Sequence, residues 1–144
     1  MRALLDVNVL VALFDQDHTF NERAHQWLED HLDEGIATCP LTENGVVRIL
    51  SHPNYSKSLR LAPAEIVERL ARFCMAQNHA FWADSVSLRE PAVFQIERLL
   101  GPRQITDLYL LALAVREGGR LITFDEGIAA TAVVGATPEH LAVI

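Results

Sequence analysis

The amino-acid sequence predicts an α/β fold with a mostly parallel central sheet of four to five strands. Short apolar runs alternate along the chain with longer segments of helical periodicity, which is the pattern of parallel strands joined by helical crossovers. The 144 residues are 50% hydrophobic and 22% charged, as in an ordinary globular protein. A chain of this length can bury a sizeable core. The expected organisation is a single domain spanning residues 1–144.

The first two elements are a strand and a helix that follow each other closely. The apolar run Ala3–Leu5 predicts a buried strand, and Val9–Phe14 predicts a short helix. Thr19 and Glu22 have the spacing of a capping box, which predicts that a second, amphipathic helix begins after Thr19. Gly35 is expected to end that helix.

The middle of the chain predicts two strands and two helices. Ile36–Cys39 is a plausible second strand. Pro40 suits the first turn of a helix that runs to about Leu50, and Pro63 suits the start of another. Ala80–Ala83 is the expected third strand.

The last third of the chain contains shorter predicted elements around one strongly apolar helix. In order, they are a short helix at Phe94–Leu100, the apolar helix from about Asp107 to Arg116 capped by Thr106, a fourth strand at Arg120–Phe124, a short helix near Glu126–Ala130 and a possible edge strand around Val133–Val134.

Charge, hydropathy and cysteine usage exclude several classes of protein. The net charge of −7 excludes a basic protein that coats nucleic acid, although local handling of nucleic acid stays possible. No apolar run approaches the roughly 20 residues of a membrane span, so no membrane partner is expected. Cys39 and Cys74 form no disulfide framework and no zinc spacing, and none of the six histidines has a partner at metal-ligand spacing. A reduced, cytoplasmic compartment fits best.

Four acidic residues fall where the predicted topology brings distant segments together. Asp6 follows the first strand directly, and Asp125 follows the fourth. Glu43 lies in the first turn of the helix after the second strand, and Asp107 opens the apolar helix. Because ligands of open parallel sheets bind at the carboxyl ends of the strands, we expect these four carboxylates to converge there.

Such a cluster needs a cation or shared protons, because close carboxylates disfavour joint ionisation. Mg²⁺ and Mn²⁺ suit oxygen ligands, whereas zinc is less favoured because no cysteine or histidine adjoins the acids in sequence. Taken singly, each acid also has a structural explanation, in a helix dipole or a turn. Their shared topological position favours a metal site for phosphodiester hydrolysis.

Four stretches that carry these acids resemble the motifs of PIN-domain ribonucleases, and within them the VapC toxins of type II toxin–antitoxin modules. The matching stretches are Leu4–Leu10, Leu41–Arg48, Ile105–Ala114 and Leu121–Asp125, in the family's order. The segment Leu50–Asn54 is also similar to a loop found in one VapC subgroup. The resemblance covers essentially the whole chain.

The resemblance implies a PIN-like three-layer α/β/α fold and a Mg²⁺- or Mn²⁺-dependent endoribonuclease. It also implies a homodimer and a cognate antitoxin protein as partners, with RNA as the substrate. By this resemblance, metals are bound or positioned by Asp6, Glu43, Asp107 and Asp125, with Asp6 and Asp107 as the foremost direct ligands. Asn8 and Thr123, each two residues from an acid, are candidates to orient carboxylates. A turn cap for Asn8 and an ordinary strand hydroxyl for Thr123 are the alternatives.

Two other functions stay open from the sequence. A phosphatase of the haloacid dehalogenase kind also has an acid after its first strand, but Asn8 replaces its second aspartate, and the one lysine, Lys57, lies in a loop. A PIN-like module that binds RNA or protein without cutting is the other alternative. Asn8 and the loop position of Lys57 disfavour the phosphatase, and retention of all four acids disfavours the non-cutting module.

Two further features of the sequence have more than one interpretation. Arg48 either contacts phosphate or forms an ion pair on its helix surface. The helix around Leu108–Val115 is apolar nearly all round, which suits burial inside the fold or cover by a second chain.

Overall fold

A computed structural model describes residues 1–144 and contains a five-stranded sheet in the order β3-β2-β1-β4-β5. All four neighbouring pairs of strands are parallel, so the predicted α/β class is confirmed. The strands are β1 (Ala3–Leu5), β2 (Ile36–Thr38), β3 (His79–Phe81), β4 (Arg120–Thr123) and β5 (Leu141–Val143).

Five α-helices flank the sheet and complete the three layers. They are α1 (Val7–Phe14), α2 (Asn21–Asp30), α3 (Pro40–Leu50), α4 (Pro63–Ala76) and α5 (Ile105–Arg116). Successive residues of β1 point to opposite faces of the sheet and into two different apolar cores. Leu5 packs with α1 to α4 on one face, and Leu4 packs with α5 on the other. None of the helices combines the length and the hydropathy that crossing a bilayer would take.

Helix α5 is covered by its own chain, which decides between the two interpretations of its apolar sequence. Residues Leu110 to Ala114 are all buried, at 1% exposure or less. Besides the sheet, the core around α5 includes Trp82, Phe94 and Val133 from the connecting segments. Burial of α5 therefore needs no second chain.

The predicted edge strand at Val133–Val134 is wrong, because the fifth strand lies nearer the end of the chain at β5. Val133 forms only an isolated antiparallel bridge to Phe94. Backbone hydrogen bonds from Gln95 to Ala132 and from Val134 to Val93 tie the two segments together. Short 3₁₀ turns at Ile96–Arg98 and Ala130–Ala132 stand where helices were predicted at 94–100 and 126–130.

Helix α2 is shorter at both ends than its capping signals predict. It begins at Asn21 rather than directly after Thr19, and the ring of His18 accepts the backbone N–H of Phe20 at 3.0 Å. It ends at Asp30, and a 3₁₀ turn follows before Gly35. Gly35 has φ of 78°, a conformation that glycine adopts freely as the chain turns into β2.

Candidate active site

Asp6 lies at the carboxyl end of β1 and is buried, with 5% of its surface exposed. Its side chain caps α1 by accepting the backbone N–H of Val7 at 2.7 Å, so the helix begins two residues earlier than predicted. Its other oxygen accepts the hydroxyl of Thr123 at 2.7 Å. Burial raises the pKa of Asp6, and the charge of Asp125 adds to the rise, while the two hydrogen bonds oppose it.

Thr123 connects Asp6 with the start of the loop after β4. Its hydroxyl donates to Asp6 and accepts the backbone N–H of Asp125 at 3.1 Å. The side-chain amide of Asn8 approaches the same hydroxyl at 3.5 Å. The amide oxygen of Asn8 is buried and has no hydrogen-bond partner. The arrangement therefore holds an unpaired acceptor beside the carboxylates.

Asp107 projects from the first turn of α5 toward Asp6 and Asp125. Burial raises its pKa, and the charges of Asp6 and Asp125 together with a hydrogen bond to the Asp125 carboxyl contribute, so that the pKa is about 6. None of the three carboxylates takes part in a salt bridge. Three of the four predicted acids thus converge at the carboxyl ends of the central strands. No ion pair compensates their negative charge.

A cleft of about 400 Å³ opens beside this cluster. Its lining comes from α1, α3, α5 and the loop after α1, and includes Asp6, Asn8, His18, Gly45, Arg48, Thr106 and Asp107. Arg48 forms no salt bridge, so the predicted helix-surface ion pair is wrong. Arg48 is instead one of the residues that line the cleft. Thr106 is not the cap of α5, because a 3₁₀ turn at Pro102–Gln104 precedes the helix and places Thr106 in its first turn.

Gly45 and His18 are cleft residues that the sequence interpretation missed. A Cβ atom at Gly45 would lie 2.6 Å from Cγ2 of Val7, so only glycine allows α1 and α3 to approach this closely. A helical glycine facing an apolar β-branched residue gives no clear signal in one sequence. His18 comes from a loop, and its position depends entirely on the tertiary fold.

Glu43, the fourth predicted acid, does not line this cleft. Leu41 and Gly45 on the same helix do, and Glu43 is two residues from each of them. Two residues correspond to about 200° around an α-helix, so the side chain of Glu43 leaves the opposite side of α3. Its position in the first turn was predicted correctly, but its direction was not.

Glu43 instead lies in a second polar cluster over β2 and β3. The hydroxyl of Thr38 donates to the Glu43 carboxylate at 2.7 Å and contacts Nε2 of His79 at 2.8 Å. One ligand atom from each of Glu43, Cys74 and His79 lies within 4.8 Å of the others. Three separate elements supply these side chains, so sequence spacing gave no signal.

The environment of this second cluster shifts the pKa values of two of its residues. Burial, followed by the nearby charge of Glu43, raises the pKa of the Cys74 thiol to about 11. Burial lowers the pKa of His79, although Glu43 opposes the effect. Near neutral pH the cluster therefore contains a protonated thiol and an uncharged imidazole.

Comparison with known proteins identifies the family to which this fold and site belong. The family model described as "PIN domain" matches residues 3–134. The chain belongs to the PIN-domain family. This PIN domain is 49% identical over 144 residues to "Ribonuclease VapC44" of Mycobacterium tuberculosis (strain ATCC 25618 / H37Rv), covering 100% of both chains. It is 39% identical over 135 residues to "Ribonuclease VapC39" of the same strain, covering 94% of this chain and 96% of the relative. The predicted resemblance to VapC proteins is confirmed.

A solved structure with little sequence similarity shares the fold. "VapBC2 from Rickettsia felis", crystallised "bound to a DNA fragment from their promoter", superposes with a TM-score of 0.57 at 16% identity. The match covers 88% of this PIN domain and 90% of that chain. The similarity supports the three-layer architecture.

Proposed function

We propose that this PIN domain is a metal-dependent endoribonuclease and the toxin of a type II toxin–antitoxin module. The names of its full-length relatives support ribonuclease activity. The observation that carries the proposal is the convergence of Asp6, Asp107 and Asp125 beside an open cleft with no compensating ion pair. No feature of the structure favours hydrolysis of phosphate monoesters over hydrolysis of RNA phosphodiesters.

The residues of the cluster fit a hard divalent cation, for which we propose Mg²⁺, with Mn²⁺ as a substitute. Three carboxylates supply the oxygen ligands that these ions prefer. The buried, unpartnered amide oxygen of Asn8 is one more acceptor at the same place. Asp6, Asp107 and Asp125 would hold the ion. When bound, it supplies Lewis-acid activation of water and charge stabilisation at the phosphodiester.

The remaining side chains position the carboxylates and the RNA. Thr123 and the Val7 amide hold the Asp6 carboxylate in one orientation through two hydrogen bonds of 2.7 Å. Arg48, unpaired on the cleft wall, provides a positive charge for a backbone phosphate. Phosphate contact at a local site reconciles RNA binding with a net charge of −7.

We further propose a cognate antitoxin, a homodimeric assembly and a cytoplasmic location. The fold neighbour carries the name VapBC2, which supports an antitoxin partner. Both cysteines are free thiols, which fits a reducing compartment.

The test is cleavage of total cellular RNA by purified, untagged, antitoxin-free protein in Mg²⁺, Mn²⁺ and EDTA. We expect discrete fragments that require a metal and disappear in Asp107→Asn. The matched control is Asp33→Asn, an exposed aspartate in the 3₁₀ turn before β2 that does not line the cleft, and it should cut as the parent does. Cleavage that persists in EDTA or in Asp107→Asn would refute the proposal. RNA binding by folded protein without any cleavage would favour a non-cutting module, and rapid turnover of a chromogenic phosphate monoester would favour a phosphatase.

A further inference from the structure

We infer that Glu43, Cys74 and His79 form a second metal site, one that binds a zinc-like transition-metal ion and is separate from the three-aspartate cluster. The three ligand atoms lie within 4.8 Å of one another around the hydroxyl of Thr38. All three side chains are partly exposed, so an ion can reach them from solvent.

The geometry is close to that of an occupied site. Zinc binds sulfur, nitrogen and oxygen ligands at about 2.0–2.3 Å, which places ligand atoms about 3.3–3.8 Å apart in a tetrahedron. Starting from separations of at most 4.8 Å, each side chain needs to move by less than about 1 Å. The ion would replace the hydrogen bonds that Thr38 now makes, and a water or that hydroxyl would take the fourth position.

The chemistry of the ligands selects against magnesium. A thiolate and an imidazole are soft or borderline ligands that suit zinc and its neighbours, whereas magnesium prefers oxygen alone. The imidazole of His79 is a nitrogen ligand of the kind that zinc binds. Cys74 would lose its thiol proton to solvent as the metal–sulfur bond forms. The two sites in this chain would therefore take different classes of ion.

Occupancy would connect three elements directly, two of which now meet through the hydroxyl of Thr38. Glu43 comes from α3, Cys74 from the last turn of α4 and His79 from the first residue of β3. Strand β3 is at the edge of the sheet and pairs only with β2. A bound ion would thus fix an edge strand to two helices and stabilise the folded state by mass action.

Cobalt titration of the untagged, metal-stripped full chain tests the inference. Co²⁺ reports on a thiolate ligand through a near-ultraviolet charge-transfer band and on tetrahedral geometry through its visible absorption. We expect one thiolate-bound Co²⁺ per chain, displaced by Zn²⁺, with the band absent in Cys74→Ser. In His79→Gln we expect affinity to fall by at least about tenfold.

Two control variants separate this site from the rest of the molecule. Cys39→Ser removes the other thiol at a position where serine can cap α3, and it should retain the band. Asp107→Asn should also retain it, so the outcome is independent of the proposed nuclease. Circular dichroism checks that each variant is folded. Absence of a thiolate band in the parent, or its persistence in folded Cys74→Ser, would overturn the inference.

Discussion

Removing the charge of Asp107 should stabilise the metal-free protein near neutral pH. Its pKa of about 6 in the folded protein lies above the value of about 3.9 expected in an unfolded chain, a difference equivalent to about 3 kcal/mol. Asp107 is only half-buried, so solvent screening reduces the expected effect to about 1–1.5 kcal/mol. For a domain of this size, that corresponds to a rise in Tm of about 3–5 °C in Asp107→Asn.

The sign of the pH dependence follows from the raised pKa. The folded state binds the Asp107 proton more tightly than the unfolded state, so stability is lost as pH rises from about 4 to 6. Thermal unfolding in EDTA at pH 7.5 should show the full gain for Asp107→Asn, and at pH 4.5 a clearly smaller one. Asp33→Asn, whose exposed side chain makes no hydrogen bond, should change Tm little at either pH. Equal Tm values for parent and Asp107→Asn at pH 7.5, or a gain independent of pH, would refute the electrostatic argument.

Three further substitutions test the contacts that build the cleft. Gly45→Ala should destabilise the fold by about 1–2 kcal/mol in urea unfolding, because the new methyl meets Val7, and a coupled recovery should appear when Val7→Ala is added. Thr123→Val should lose about 1–3 kcal/mol in the same assay, because buried Asp6 loses a donor, whereas Thr123→Ser should stay near the parent; equal losses would contradict this role. Arg48→Ala should weaken RNA binding in EDTA and reduce the salt slope by about 0.7, and an unchanged slope would exclude a phosphate contact.

The site was predictable where position along the chain also fixes position in space. Asp6 and Asp125 lie within two residues of the ends of β1 and β4, which are parallel neighbours in the sheet. Asp107 lies in the first turn of a helix whose apolar sequence commits it to the core. Each of these three residues therefore had to lie at the carboxyl ends of the strands. Glu43 is different, because its helix has two polar sides and the sequence does not state which one meets the cleft.

The sequence by itself determined the α/β class, the parallel order of strand and helix, and three of the carboxylates, because burial periodicity is a local property of the chain. The tertiary structure decided what depends on contacts between distant segments. It placed β5 at the edge of the sheet, turned Glu43 toward Cys74 and His79, and set Gly45 against Val7. Those outcomes depend on how helices rotate and pack on the sheet, and that rotation is fixed only when all layers close together.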